Sequence, residues 1–343
     1  MSNRRIINII LKYCKNFTSR MPVNLGHDIN CKLFPGTGVV VFDPHNTFKW
    51  SITEREIKNL TSDIITLLPE DDDQLQKFLR AYIGLSPRRE ARWRGTLARM
   101  ALNFRLVEAH LPQEGKWVDA GAFGLEATIL KRLRPDASFS LYNYEGCAIT
   151  KDKRGVHFLT DLAGSSDYIF IEQTDLERQP LNLQDSSVDV FATFETIEHF
   201  KFGPQLFISE ANRVVKDGGI LILSTPNATS IGAYERIILN LHPSECCTYH
   251  RNLDYGRIHP SEYDREQILD LISGNGFKIE SIVTASFLPL TERQLSLIED
   301  LVRIRNSRGL LISHDFGAKW IVIARKIATV TEKKFPPSLF EGA

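Results

Sequence analysis

Glu195, Glu198 and His199 stand at i, i+3 and i+4, a spacing that puts three side chains on one side of a helical turn. His259 follows in the run Gly256-Arg257-Ile258-His259-Pro260-Ser261-Glu262-Tyr263. Two carboxylates and two imidazoles form a mixed oxygen and nitrogen donor set for a divalent cation, which lowers the pKa of a hydroxyl coordinated to it. The same residues carry two other readings. His199 or His259 can serve as a general base with Glu198 beside it, or the cluster can be structural. Upstream, Asp119-Ala120-Gly121 follows the apolar pair Trp117-Val118. In such a turn a glycine allows close backbone approach, and an acid can order the loop or face a cation.

These residues need rigid elements to hold them. From Lys116 the chain alternates strand-like and helix-like segments. Strands are expected near 116–120, 138–143, 167–172, 188–193, 219–225, 277–284 and 318–325. Helices are expected near 124–133, 147–154, 203–215 and 262–274, with an extra one at about Glu292–Arg305. This alternation implies right-handed crossovers and a mostly parallel α/β sheet covered on both faces. Ligands of such sheets bind beyond the carboxyl ends of the strands, where the first strand turns into its helix. Asp119-Ala120-Gly121 occupies that turn, and Glu195 opens just past the fourth strand.

Residues 1–110 fall outside this pattern. Gly38–Phe42 reads as a short strand ended by the turn Asp43-Pro44-His45-Asn46, and Thr53 can cap a helix with an apolar face from Leu60 to Leu68. Gln74–Ile83 and Arg88–His110 read as further helices. The expected division is a largely helical cap or oligomerisation region at 1–110, compatible with a homodimer, a catalytic domain at 111–330 and a tail at 331–343.

The motifs in order are Trp117-Val118-Asp119-Ala120-Gly121-Ala122-Phe123-Gly124, Asp185-Ser186-Ser187-Val188-Asp189-Val190, Glu195-Thr196-Ile197-Glu198-His199, Asn212-Arg213-Val214-Val215-Lys216-Asp217-Gly218-Gly219, and Leu221-Ile222-Leu223-Ser224-Thr225-Pro226-Asn227. Over roughly Leu111–Lys326 this order resembles the class I S-adenosylmethionine-dependent methyltransferases, in particular the branch that modifies small molecules and sugars. The resemblance implies a Rossmann-like, seven-stranded, mostly parallel sheet and S-adenosylmethionine as cofactor. It places Asp119 and Gly121 at the methionine moiety, although Phe123 and Leu125 stand where the family commonly has glycine. The ribose position falls on Glu145 first and Asn143 second. Asp175 takes the adenine amino group, with Leu176 beside it, and Phe194 lies against the cofactor.

Glu-x-x-Glu-His with a distant His is also the metal-ligand pattern of the small-RNA 3′-terminal 2′-O-methyltransferases, which makes Glu195, Glu198, His199 and His259 the candidate ligands of a Mg or Zn ion. Metal-free relatives use the corresponding histidines as base or as helix support. The function implied is O-methylation of a small-molecule or sugar hydroxyl. RNA 2′-O-methylation with a divalent metal and a catalytically degenerate binding protein are the alternatives.

Composition narrows the partners. Lys+Arg and Asp+Glu both total 42, so nothing in the bulk charge draws the chain to a polyanion, and a nucleic-acid partner is not expected. Arg88-Arg89-Glu90-Ala91-Arg92-Trp93-Arg94, the basic cluster with an aromatic, reads as a solvated helix face. The five cysteines are scattered without a CxxC pair, which favours reduced thiols in a cytoplasmic protein. No apolar run approaches the roughly 18–20 residues that span a bilayer, and Met1–Arg20 reads as a basic amphipathic helix packed on its own protein. A nicotinamide dehydrogenase is disfavoured because Gly-x-Gly-x-x-Gly is absent.

Overall fold

Runs of Val, Ile, Phe and Trp bounded by turn residues set the strands, in chain order β1 (Cys31–Phe34), β2 (Val39–Phe42), β3 (Lys116–Ala120), β4 (Ser138–Asn143), β5 (Ile171–Gln173), β6 (Val188–Phe194), β7 (Val215–Pro226), β8 (Phe277–Ser286) and β9 (Lys319–Lys326). The helices are α1 (Glu54–Thr66), α2 (Glu90–His110), α3 (Gln205–Val214), α4 (Ile231–Ile238), α5 (Arg265–Gly274) and α6 (Glu292–Arg308). A computed structural model describes residues 31–34, 37, 39–47, 52–66, 90–122, 134–143, 171–244, 259–308, 314–331, 335 and 337–340, with the backbone alone at 62–66 and 90–94. The expected helices near 124–133, 147–154 and 74–83, and the basic segment 1–20, lie outside these residues.

One sheet runs β1-β2-β8-β9-β7-β6-β3-β4-β5. The five strands β7-β6-β3-β4-β5 are parallel, and each core strand is buried on both faces, as parallel strands covered by helices must be. The expected seven strands are all present, but the sheet has nine and is parallel only in part. Strand β9 runs antiparallel to both β7 and β8, and the hairpin β1–β2 adds antiparallel to the edge of β8, with Val41 opposite Ala285. The reason lies in β2: all four residues of Val-Val-Val-Phe are buried, which requires a strand on each side. The outer strand β1 exposes Lys32, a charge that discourages further pairing at an edge.

The described part of residues 1–110 is thus built into the sheet domain. Leu97, Ala101, Leu102 and Phe104 of α2 pack in one core with Trp117, Val190, Ala192 and Ile222, and Phe34 and Val41 join them. Residue 111 does not separate two units there, and a cap or oligomerisation role remains an expectation for the rest of that segment. The opposite face buries Phe207 and Ile208 of α3 and Ile268 and Leu271 of α5 on Val118, Phe191 and Leu221. Fully burying such a side chain contributes about 1.5–3 kcal/mol. Local signals agree with the packing: Thr53 and Glu56 form a reciprocal cap on α1, and Asp264 with Gln267 a capping box on α5. No helix among the described residues is long and apolar enough to cross a membrane.

Candidate active site

The carboxyl ends of β3 and β6 meet at a turn that requires glycine. Gly121 has φ +97°, and its N–H and that of Ala122 both donate to the Tyr142 carbonyl, at 2.8 and 3.1 Å. A Cβ on Gly121 would stand 1.9 Å from Thr196 Oγ1, whose hydroxyl donates to the Ala120 carbonyl at 3.2 Å. The glycine is therefore demanded by the protein's own Thr196, which fills the side expected to be left to a cofactor. Asp119, only 2% exposed, joins Arg99, Met100, Gly121, Ala122, Phe194 and Glu195 around a cleft of about 280 Å3, open to solvent at its mouth.

The other cofactor candidates are placed less simply. Asn143 is buried, and its Nδ2 donates to the Ala122 carbonyl at 2.8 Å, so this amide ties β4 to the turn after β3. Asp175 opens a turn: its Oδ1 accepts from Glu177 N (3.1 Å) and its carbonyl from Gln179 N (2.8 Å). Leu176 is buried in the core beside Tyr142, and Phe194 walls the cleft. Glu145, Phe123 and Leu125 lie outside the described residues.

Past β6 the chain departs from the expected α-helical turn. Glu195 adopts a left-handed φ of +54°, and a single 3-10 turn then covers Ile197–His199. Glu195 therefore precedes the turn, and its carboxylate leaves in a different direction. Its Oε2 pairs with the Lys319 ammonium, and Ser224 Oγ donates to Oε1 at 3.3 Å. Burial alone would raise this carboxyl, but Lys319 and Arg99 outweigh it and hold Glu195 well below the usual range. The expected fourth metal ligand is thus engaged by a lysine.

The other three converge. Glu198, His199 and His259 each bring a ligand atom within 4.8 Å of the others, and the two imidazoles meet edge to face with centroids 4.9 Å apart. Glu198 is wholly buried; Thr225 Oγ1 donates to its Oε2 at 3.0 Å, and its Oε1 finds no hydrogen-bond partner among the described residues. Burial first, and the Glu195 charge second, push its carboxyl upward. An unpartnered buried carboxylate oxygen is expensive by roughly 1–3 kcal/mol or more, so this position calls for a proton or a cation.

His259 is oriented from behind. Its Nδ1 lies 2.9 Å from Glu262 Oε1, which also accepts from Ser244 Oγ at 2.7 Å. Burial works against ionising Glu262, yet the His259 and Ser244 hydrogen bonds keep its pKa below the usual value. An ionised Glu262 fixes the proton on Nδ1 and leaves Nε2 as the lone-pair donor. The turn itself is braced by Tyr263, whose hydroxyl donates to the Ile197 carbonyl at 3.0 Å and whose own carbonyl accepts from Trp320 Nε1 at 2.8 Å.

Both donor sets fit the groups expected of them. The cleft offers Arg99 and Asp119, a cation and an acid, to a zwitterionic amino-acid moiety. The Glu198-His199-His259 cluster offers one oxygen and two nitrogens, with an orphaned carboxylate oxygen, to a divalent cation. Sequence reasoning missed Arg99, Thr196, Lys319 and Glu262. Of these only Glu262 carried a local signal, three residues after His259.

Comparison with known proteins bears on this site directly. Residues 137–223 match the model of a methyltransferase domain family, a span that runs from β4 to β7 and includes Glu195, Glu198 and His199. The chain carries a class I S-adenosylmethionine-dependent methyltransferase domain. A curated probable S-adenosylmethionine-dependent methyltransferase of Mycolicibacterium smegmatis is 31% identical over 100 residues, 29% of this chain and 32% of that protein. The chain therefore spans about a third of the length of the curated relative it matches. Among solved structures, a SAM-dependent methyltransferase from Archaeoglobus fulgidus aligns with TM-score 0.42 and 14% identity over 73% of this chain and 98% of its own. The geranyl diphosphate C-methyltransferase of Streptomyces coelicolor A3(2) aligns with TM-score 0.42 and 16% identity over 73% and 88%.

Proposed function

We propose that the protein transfers a methyl group from S-adenosylmethionine to a hydroxyl of a small-molecule or sugar acceptor, with the acceptor oxygen seated at Glu198, His199 and His259. The observation that carries this reading is adjacency. Phe194 and Glu195 wall the cofactor cleft, and the three-residue cluster begins at Glu198 on the next turn of the same chain segment.

The bound donor supplies an electrophilic methyl on a sulfonium, and transfer is an in-line displacement that needs alignment and a deprotonated acceptor. Asp119 and the backbone at Gly121 and Ala122 form the wall against which the methionine moiety packs, and Phe194 closes one side. Glu198, His199 and His259 would hold a divalent cation, whose charge lowers the pKa of an acceptor hydroxyl beside it. Two imidazoles with one carboxylate favour Zn2+, Mn2+ or Fe2+ over Mg2+, which prefers an all-oxygen shell. The Glu262–His259 pair can also receive the hydroxyl proton at Nε2, with the positive charge stabilised by the carboxylate at Nδ1.

Calorimetric titration of the purified chain with S-adenosylmethionine, and separately with Zn2+ and Mn2+, tests both halves. Saturable binding of the cofactor, and of at least one cation with loss in His259→Ala, is expected. Absence of cofactor binding would overturn the methyltransferase reading. Cation binding unchanged in His259→Ala would overturn the metal site.

A further inference from the structure

We infer that Arg99 is the receptor for the carboxylate of the methyl donor, with Asp119 facing the donor's ammonium across the cleft. The inference deepens the methyltransferase reading above and rests on it. Arg99 lies in the last half of α2, a helix outside the matched span, and its side chain lines the cleft together with Asp119, Gly121, Ala122 and Glu195.

Three observations single it out. First, its position is the mouth of the β3 turn, where the ligands of an open parallel sheet bind. Second, its charge is not consumed by the protein. The nearby Glu195 is taken by Lys319 and feels Arg99 only through space. Among the described residues no ion pair closes on the guanidinium, which keeps five donors in a planar fork suited to a carboxylate. Third, the rest of the wall supplies the complement. Asp119 is a buried acid on the same cleft, so the pair presents one cation and one anion to a ligand with an α-carboxylate and an α-ammonium. Arg99 is held for this task by α2, whose neighbouring Ala98, Met100, Ala101 and Leu102 are buried in the sheet core and fix the helix rotation.

The test compares ligands within a single variant, so that a general loss of folding cannot imitate it. S-adenosylhomocysteine carries both the carboxylate and the ammonium, its decarboxylated analogue keeps only the ammonium, and 5′-methylthioadenosine has neither. By calorimetry, Arg99→Gln should weaken S-adenosylhomocysteine at least tenfold, leave the decarboxylated analogue and methylthioadenosine within twofold, and be partly rescued by Arg99→Lys. Asp119→Asn should weaken both ammonium-bearing ligands and spare methylthioadenosine. Equal losses for all three ligands in Arg99→Gln, or no loss for any, would overturn the assignment of Arg99 while leaving the methyltransferase reading intact. Failure of the unaltered protein to bind S-adenosylhomocysteine would overturn both.

Discussion

Glu195 and Glu198 leave the same strand three residues apart and end in opposite electrostatic surroundings. Glu195 sits between Lys319 and Arg99, is held ionised, and faces the cofactor cleft. Glu198 is sealed under the 3-10 turn with one oxygen bonded to Thr225 and the other without a partner, and burial pushes its carboxyl up. The left-handed backbone at Glu195 creates the difference, because it points one carboxylate to each side of the chain. A carboxylate already matched by a lysine has little left to offer a metal. One buried without a counter-charge is a ligand in waiting, and the neighbouring imidazoles complete the set.

The largest effect expected from this contrast is on methyl transfer. His199→Ala and His259→Ala should each lower turnover by about 10²–10⁴-fold, while cofactor affinity in the Glu195-lined cleft stays within about threefold. Chelation should reproduce the loss in the unaltered protein, and added Zn2+ or Mn2+ should reverse it. Turnover that ignores chelators but collapses in one histidine variant would leave the His259–Glu262 pair as a metal-free base. Turnover that survives all of these would show that the two regions do not differ in role.

Next in size is the junction that joins the two regions. Gly121→Ala places a methyl against Thr196 in a backbone that disfavours side chains, and φ strain and overpacking each amount to roughly 1–3 kcal/mol. Urea unfolding should show a loss of about 3 kcal/mol, part of it recovered in the Gly121→Ala/Thr196→Ala double variant. An unaltered midpoint would mean that Thr196 does not occupy the space beside the turn. This variant cannot test cofactor contact by itself, since it acts on the protein's own packing first.

The residues that sequence reasoning found and those it missed differ in how far their causes lie along the chain. The seven strands from 116 to 326 were legible because β-branched runs and turn residues are local, and Asp264 and Thr53 announced their helices through capping residues a few positions on. The hairpin β1–β2 was legible only as strand Val39–Phe42; its place beside β8 depends on partners such as Ala285 and Ser286, far along the chain. Three of the four proposed metal ligands converge, and the fourth was misplaced because an i, i+3, i+4 count assumes an α-helix, whereas the helical turn here begins only at Ile197. Lys319 and Arg99 reach Glu195 from β9 and α2, a relation no spacing in the sequence encodes.

A smaller effect is expected behind His259. Glu262→Gln keeps the shape of the side chain but removes the charge that fixes the Nδ1 proton. Cation affinity should fall about 10–100-fold by calorimetry, the range found when a carboxylate supporting a metal-bound histidine is lost. A fall of similar size in cofactor affinity would be unexpected, since Glu262 does not line the cleft. Equal losses for both ligands would indicate a general distortion and remove Glu262 from its orienting role.

The smallest effect on the metal side is expected at Glu195, and it is the sharpest test of the contrast. Glu195→Gln leaves the amide free to accept from Ser224 but breaks the pairing with Lys319. If Glu195 serves the cleft and not the cluster, affinity for Zn2+ or Mn2+ should stay within about twofold, well under the 1.4 kcal/mol that a tenfold change represents. Stability should fall by about 1 kcal/mol at neutral pH, because a partly buried lysine loses its partner. The sign of the pH dependence follows from the direction of the shift. Glu195 has its folded pKa depressed, so its contribution is fully present above the unfolded value of about 4.3 and is lost as the pH falls towards the folded one. The stability difference between the unaltered protein and Glu195→Gln should therefore be constant near pH 7 and shrink below about pH 4.3. A tenfold loss of cation affinity in this variant would instead make Glu195 a ligand, and the division between the two carboxylates would have to be abandoned.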